Sequence, residues 1–326
     1  MFNRIIFVSD LVENHQNASI ESLNLEFTEI EYFQDVHEVL SNIAIEVIHY
    51  ESPKQLIENI QTHKDDIVIS IWSGTSSRNR RALVPSICEA YNIKYVGADT
   101  YTSIVCQDKS LSHQYCRKYG VNVPDHIIIE KESDLVQIKY LDLPLVIKPN
   151  FEGGSIGISQ SNLVSNYDEA IILARKLLLY FKDNIIAEKF IRGNEVSFIL
   201  FGNRTKIKIA ECIKLDLETN EIDIKDTLYG LEIKKRGIYN EINSCITASI
   251  DKQLMQKLKK LFFGFYKADI IRIDGRIDEN NNFYCIELSP DVYLGKLSSI
   301  FKAFEYNGYS YKEMFVNLLD NSLNVD

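Results

Sequence analysis

The chain has 326 residues, of which 45% are hydrophobic and 25% charged, and 36 basic against 46 acidic side chains give a formal net charge of -10. That length supports two or three lobes around a real core, and the acidic balance argues against a broad nucleic-acid surface while leaving room for a local basic pocket. No apolar stretch reaches transmembrane length, Ile5-Ile6-Phe7-Val8 is too short for a signal-peptide core, and the six cysteines and six histidines lack metal-ligand spacing, so a soluble, cytoplasmic chain without membrane partner, zinc site or disulfide framework is expected.

Arg4 to Val8 reads as a first buried strand. Ser9 to Asn42 has mixed polarity and no clean period. Ile43 to Tyr50 is β-rich, Pro53 to His63 suits a helix with proline in its first turn, and Ile67 to Trp72 is another apolar strand. A helix over Arg80 to Tyr91 and a short strand over Lys94 to Val96 continue the alternation, which predicts a parallel, doubly wound lobe. Ser103 to Tyr119 reads as one helix stopped by Gly120 and Pro124. A strand at His126 to Ile129 and a short helix at Ser133 to Lys139 follow.

Leu145 to Pro149 is an apolar strand carrying Lys148, and it opens directly into Asn150-Phe151-Glu152-Gly153-Gly154-Ser155-Ile156-Gly157. Glycines let the backbone take positive φ and aim successive N-H groups at one anion, with the Ser155 hydroxyl and the Lys148 charge beside them. The spacing is neither that of a P-loop nor that of a dinucleotide fingerprint, so an ordinary turn remains the alternative.

Next come a helix at Tyr167 to Phe181 and a strand at Ile185 to Phe190. Two long β-rich runs, Glu195 to Phe201 and Lys206 to Leu215, are joined by Gly202-Asn203, a hairpin signal. Asp216 to Asn243 is polar and charged, as a long mobile loop would be. Ile250 to Lys267 is amphipathic. The last clear unit is a hairpin, Ile270 to Asp278 with Phe283 to Leu288. Alternation puts Arg272, Asp274, Arg276 and Asp278 on one face, and on the partner strand Glu287 and Ser289 share a face. Two carboxylates and a hydroxyl beside an arginine would be a hard-oxygen site suited to Mg²⁺; a solvated face with cross-strand ion pairs is the alternative.

Six segments in this order resemble the ATP-grasp ligases, and more closely the D-alanine-D-alanine ligase family: Gln107-Asp108-Lys109, Val146-Ile147-Lys148-Pro149, Glu152 to Gly157, Ala187 to Glu195, Arg272-Ile273-Asp274 and Glu287-Leu288-Ser289. The resemblance covers about residues 95 to 326 and implies an α/β chain, α+β in its C-terminal part. It implies a Rossmann-like N-terminal lobe over 1–102, a central ATP-grasp lobe over 103–191 and a C-terminal one over 192–326. ATP would lie between the last two, its phosphates held by Lys109 and Lys148 under the Gly153, Gly154, Ser155 and Gly157 loop. Glu188 with the backbone of Lys189, Phe190 and Ile191 would read the adenine edge, and Glu195 the ribose. Asp274, Glu287 and Ser289 would hold one or two Mg²⁺ ions, with Mn²⁺ as a substitute. Arg272, Ser155 and Lys235, from the mobile loop, would serve catalysis, and Ser298 would lie near the acceptor carboxylate. The implied reaction has two steps: a substrate carboxylate takes the γ-phosphoryl group to give an acyl phosphate and ADP, and an amine then displaces phosphate. Relatives are often dimers, so the resemblance leaves a homodimer open.

Three departures bear on the substrate. Ser289 stands where the family normally has asparagine, with Asp291 near enough in sequence to compensate. Val8-Ser9-Asp10 follows the first strand where the family places a glutamate that holds an amino group, and Asp10 is a candidate replacement or an ordinary turn residue. Finally, Trp72 to Arg81 brings Arg78, Arg80 and Arg81 to a helix start, where they oppose the helix dipole; Arg78 and Arg80 are candidates for an anionic substrate, with arginines spread into solvent or paired with surface acids as the alternative. The expected function is an ATP-dependent carboxylate-amine ligase for amino-acid or peptide-like substrates, distinct from the housekeeping D-alanine-D-alanine ligase. A true D-alanine-D-alanine ligase and a non-catalytic ATP-binding regulator are the alternatives.

Overall fold

A computed structural model describes residues 1–11, 28–74, 78–217, 225–228, 230, 242–246 and 250–323. Four parallel strands, β1 (Phe2–Val8), β2 (Ala44–Tyr50), β3 (Ile67–Ser70) and β4 (Lys94–Tyr95), form the first sheet in the order β2-β1-β3-β4. The run Ile5 to Val8 is fully buried because it is covered on both faces. Ile5 and Phe7 enter one apolar cluster and Ile6 and Val8 another, as a two-residue period requires. The flanking helices are α1 (Ile30–Ser41), α2 (Pro53–Asn59) and α3 (Leu83–Tyr91). Helix α1 falls in the stretch without a legible pattern, since it buries only Val36 and Leu40 and has no side-chain N-cap.

The single helix expected from Ser103 to Tyr119 is two. Helix α4 (Thr100–Gln107) and helix α5 (Lys109–Lys118) are separated by Asp108, whose backbone is extended and whose Oδ1 accepts the Leu111 N-H at 3.1 Å. Asp108 thus caps the second helix, and the break places Lys109 on its first residue.

The second sheet is antiparallel in the order β5-β8-β6-β7, from β5 (His126–Ile129), β6 (Leu145–Pro149), β7 (Leu163–Val164) and β8 (Ile185–Lys189), under helix α6 (Tyr167–Phe181). A 3-10 segment over Glu132–Tyr140 replaces the expected short helix. The third sheet, also antiparallel, runs β11-β10-β9-β12-β13, from β9 (Asn194–Gly202), β10 (Ile207–Leu217), β11 (Ile242–Ile246), β12 (Ile270–Ile277) and β13 (Phe283–Ser289). Both ends of the expected loop from Asp216 to Asn243 are therefore paired strands, Asp216 opposite Asn243. Between them, apart from 225–228 and 230, the loop lies outside the described residues, and Lys235 with it. Helices α7 (Lys252–Gly264), α8 (Ser299–Tyr306) and α9 (Tyr311–Leu323) complete the chain; the last two lie beyond the last unit legible in the sequence.

Helices α4 and α5 put Val105, Cys106, Tyr115 and Cys116 into the apolar cluster of the third sheet. All six cysteines are free thiols. Among the described residues no helix is long and apolar enough to cross a membrane.

Candidate active site

Lys148 points from β6 into the interior, where its ammonium pairs with Glu188 Oε1 from the adjacent β8; both side chains are almost wholly buried. The second carboxylate oxygen, Glu188 Oε2, is buried without a hydrogen-bond partner. Lys109 approaches from α5. Its ammonium donates to the Glu152 carbonyl at the start of the glycine loop and lies 3.7 Å from Glu287 Oε1 on β13. Burial draws its pKa below the usual lysine value, opposed by Glu287 and reinforced by the nearby Lys148 charge.

The loop itself has the backbone that its composition predicts. Gly154, Ser155 and Gly157 take φ of 59°, 67° and 69°, so a non-glycine residue, Ser155, is held in the left-handed region. A side chain at Gly157 would meet Pro149 and the Phe181 ring at 2.9 Å. Behind the loop, Asn150 donates to Asp108 Oδ1 at 2.8 Å and accepts the Ser110 N-H at 3.1 Å, tying the end of β6 to the start of α5.

On the third sheet the faces coincide. Asp274 pairs in register with Glu287, and Arg272 with Ser289. The Arg272 guanidinium binds Asp274, its Nε 2.9 Å from each carboxylate oxygen, and Ser197 donates to Asp274 Oδ1 at 2.6 Å. Two carboxylates and a hydroxyl make a hard-oxygen donor set, one that leaves the remaining positions of an octahedral ion to water and phosphate oxygens. Among the described residues no three acidic, histidine or cysteine side chains gather into a metal cage.

Several assigned residues are engaged by the protein itself. The N-H groups of Lys189 and Phe190 donate to the carbonyls of Asp125 and Pro144 at 2.8 and 2.9 Å, and the Ile191 carbonyl accepts from Arg276 at 2.9 Å. Of that stretch, Glu188 Oε2 is a buried side-chain acceptor without a hydrogen-bond partner. Glu195 receives Arg276 Nε at 2.7 Å, and the same guanidinium lies 4.6 Å from the Phe190 ring centre. Asp10 accepts from Thr28 Oγ1 at 3.1 Å and from the N-H groups of Gly74 and Ser73 at 3.1 and 3.3 Å, so its carboxylate is used to hold a turn. Ser298 caps α8, accepting the Phe301 N-H at 3.0 Å. Arg78 stacks over Phe151 and Arg80 pairs with Glu152 at 2.9 Å. Asp291, expected to help Ser289, is instead paired with Arg81.

Sequence reasoning missed three contributors. Ser197 was findable, since it sits two residues after Glu195 on the same strand face. Glu152 acts through both its carbonyl and its side chain. His113 gave no signal: it is buried on α5, its Nε2 3.3 Å from the Ile286 carbonyl, and burial together with the nearby Lys148 charge pushes its pKa down to about 2, so it stays neutral.

The family model described as D-ala D-ala ligase C-terminus matches residues 115–320. The D-alanine-D-alanine ligase of Wigglesworthia glossinidia brevipalpis is 25% identical over 271 residues, covering 81% of this chain and 73% of that protein. That of Aquifex aeolicus is 24% identical over 280 residues, 86% and 90% of the two chains. Among solved structures, the D-alanine-D-alanine ligase from Bacillus anthracis superposes with a TM-score of 0.73 at 18% identity, over 98% of this chain and 97% of that one. Its complex with ATP gives 0.70 at 20% identity, over 99% and 97%. The VanG D-Ala:D-Ser ligase from Enterococcus faecalis gives 0.69 at 19% identity, over 99% and 100%. The fold is thus ATP-grasp, a parallel α/β lobe followed by two lobes built on antiparallel sheets.

Proposed function

The chain belongs to the D-alanine-D-alanine ligase family, whose C-terminal model it matches over residues 115–320, and from that premise we propose that it is an ATP-dependent carboxylate-amine ligase acting on amino-acid or peptide-like substrates. The observation that carries the reading is the position of Lys109, which holds the start of the glycine loop through the Glu152 carbonyl and reaches Glu287 of the acidic pair at 3.7 Å. Loop, cations and carboxylates thereby meet at one place from two sheets.

In this reading Lys109 and Lys148 draw the phosphates into register with the positive-φ loop, and Glu188 Oε2 accepts from the adenine amino group. Asp274 and Glu287, with Ser289 beside them, would hold Mg²⁺, which neutralises charge on the transferring phosphoryl oxygens. Arg272 is placed to offset negative charge on the acyl phosphate and on the oxyanion formed when the amine attacks. The lobes are read as 1–102, 103–191 and 192–326, although helices α4 and α5 pack their apolar residues against the third sheet.

Among the described residues the acid after β1 is Asp10, and its three hydrogen bonds inside the turn argue against its reading the donor amino group. That favours a substrate other than the D-alanine pair. D-alanyl-D-alanine synthesis is the second reading, favoured by the names of the curated relatives. A phosphate-release screen of amino-acid pairs with ATP and Mg²⁺ decides between them: release with D-alanine alone selects the second. Lys148→Ala should lower turnover by about 100- to 1,000-fold, the usual effect of removing one transition-state donor, and Glu287→Gln, which removes a carboxylate proposed to hold Mg²⁺, should lower it as well. Amide formation undiminished in both variants would refute the assigned site.

A further inference from the structure

Among the described residues, Arg78 and Arg80 of the N-terminal lobe reach the start of the glycine loop, Arg78 over the Phe151 ring and Arg80 at the Glu152 carboxylate. The Arg80 side chain is 5% exposed, and its Nη2 donates to Glu152 Oε2 at 2.9 Å, Glu152 being 14% exposed. Glu152 is also the residue whose carbonyl receives Lys109. One residue at the base of the loop is thus held from both sides, by a cation of the first sheet's connection and by the cation assigned to the phosphates.

The position of Arg80 is itself built. Asp10, at the end of β1, accepts the N-H groups of Ser73 and Gly74, and this fixes the turn after β3. Gly74 there has φ of +69°, and a Cβ on it would stand 2.9 Å from Arg80 Cβ and 2.5 Å from the Trp72 ring. Only a glycine lets the turn and the arginine approach so closely. The next residue, Arg81, pairs with Asp291, two residues beyond Ser289. One 3-10 turn, Arg80–Ala82, therefore touches the base of the loop and the chain just after the acidic hairpin.

We propose that Arg80 is a positioning residue for the proposed ligase site, fixing the base of the glycine loop through Glu152 so that the N-terminal lobe sets the geometry in which the loop and Lys109 meet a triphosphate. The inference rests on the ligase reading for its kinetic consequence, whereas the contact itself can be tested without nucleotide.

The experiment compares wild type with Arg80→Gln, Arg80→Lys, Glu152→Gln and the double variant Arg80→Gln/Glu152→Gln. Amide hydrogen exchange over residues 150–158 is measured without nucleotide, and turnover and the KM for ATP are measured with the substrate pair found by phosphate release. Arg80→Gln should speed exchange in that segment at least tenfold with the β1 and β9 amides unchanged, and should lower kcat/KM for ATP at least tenfold. Arg80→Lys should recover part of both effects, and the double variant should be no worse than the poorer single one, because the two residues act as a pair. Exchange over 150–158 unchanged in Arg80→Gln, or accelerated equally throughout the chain with activity lost only in step with unfolding, would overturn the proposal. Failure of the wild type to bind ATP in calorimetry would refute the ligase reading instead, and the exchange comparison would still decide the contact.

Discussion

Lys109 shows how one buried cation serves two opposed demands. Its side chain is 4% exposed, and burial lowers its pKa from the ordinary 10.5 against the attraction of Glu287. Between the lowered and the ordinary value the unfolded chain holds more protons than the folded one, so the penalty for the buried charge is full below that window and stability rises with pH through it. The phosphate binding proposed for Lys109 needs the proton and runs the other way. The KM for ATP should therefore climb as pH rises through the lowered value, before an ordinary lysine would lose its charge. Lys109→Arg keeps its charge throughout and should abolish that alkaline limb even if it binds ATP less tightly at neutral pH; a limb unchanged in the variant would belong to another group. Asp10 poses a different question, whether its carboxylate holds a substrate or only the turn. Burial raises its pKa despite the hydrogen bonds from Gly74, Thr28 and Ser73, so the charge itself is not what the fold favours there. In Asp10→Asn the amide oxygen can accept the two backbone N-H groups while its NH₂ faces Thr28, and stability should change by less than about 1 kcal/mol. Asp10→Ala leaves those groups without their acceptor and should lose about 1–3 kcal/mol in denaturant unfolding. A rise in substrate KM in Asp10→Asn without loss of stability would restore a substrate role.

At the scale of elements, the hairpin of β12 and β13 decides the acidic pair, and it does so through a bulge that alternation cannot reveal. Asp274 faces Glu287 and Gly275 faces Cys285, so Ile286 is the extra residue. Without it, a strict two-residue period that sends Phe283 and Cys285 into the core would send Glu287 there as well. Gly275 permits the close approach: a Cβ on it would lie 2.2 Å from the Tyr284 carbonyl and 2.5 Å from the Phe283 ring. Gly275→Ala should destabilise the chain by about 1–3 kcal/mol, as overpacking does, and should raise the Mg²⁺ concentration for half-maximal phosphate release more than it raises the KM for the amine. Equal changes in both would mean that the bulge is packing alone. Long strands and the positive-φ loop were legible because their signals are local. The break at Asp108 was not, since Gln107-Asp108-Lys109 reads as ordinary helix until Asn150 is known to bind that carboxylate. Helices α8 and α9 escaped because their apolar residues, Phe304 and Phe315 among them, answer to β9 and β12 from distant parts of the chain. For the arginines after Trp72 the sequence leaves an outside anion and acids of the protein both open, and the partners of Arg80 and Arg81, Glu152 and Asp291, lie 72 and more residues away.

In the molecule as a whole the apolar clusters cut across chain order. One joins Ile5 and Phe7 of β1 to Ile199 and Phe201 of β9 and to Phe304 and Leu318, so the first and third sheets share a core. Asp269 reinforces that union: it is 1% exposed and accepts from the Gly97 N-H, Lys267, Asn321 and Ser322. A second cluster joins α4 and α5 to the third sheet. The cluster under the second sheet, by contrast, draws its buried residues from the single stretch between Ile129 and Ala187. Its ties to Asp108, Lys109 and Arg80 are polar and gathered at the glycine loop. A lobe with its own contiguous core and polar attachments should open as a unit while the rest of the molecule stays folded. Leu177 is 3% exposed on α6 and belongs to this cluster, so Leu177→Ala should lose about 2–5 kcal/mol of local stability. Native-state hydrogen exchange should show that loss across residues 126–189, with β1, β9 and β12 keeping their protection. If protection instead falls equally in all three sheets, the lobe is no separate unit, and opening of the nucleotide cleft would have to involve the shared core of β1 and β9.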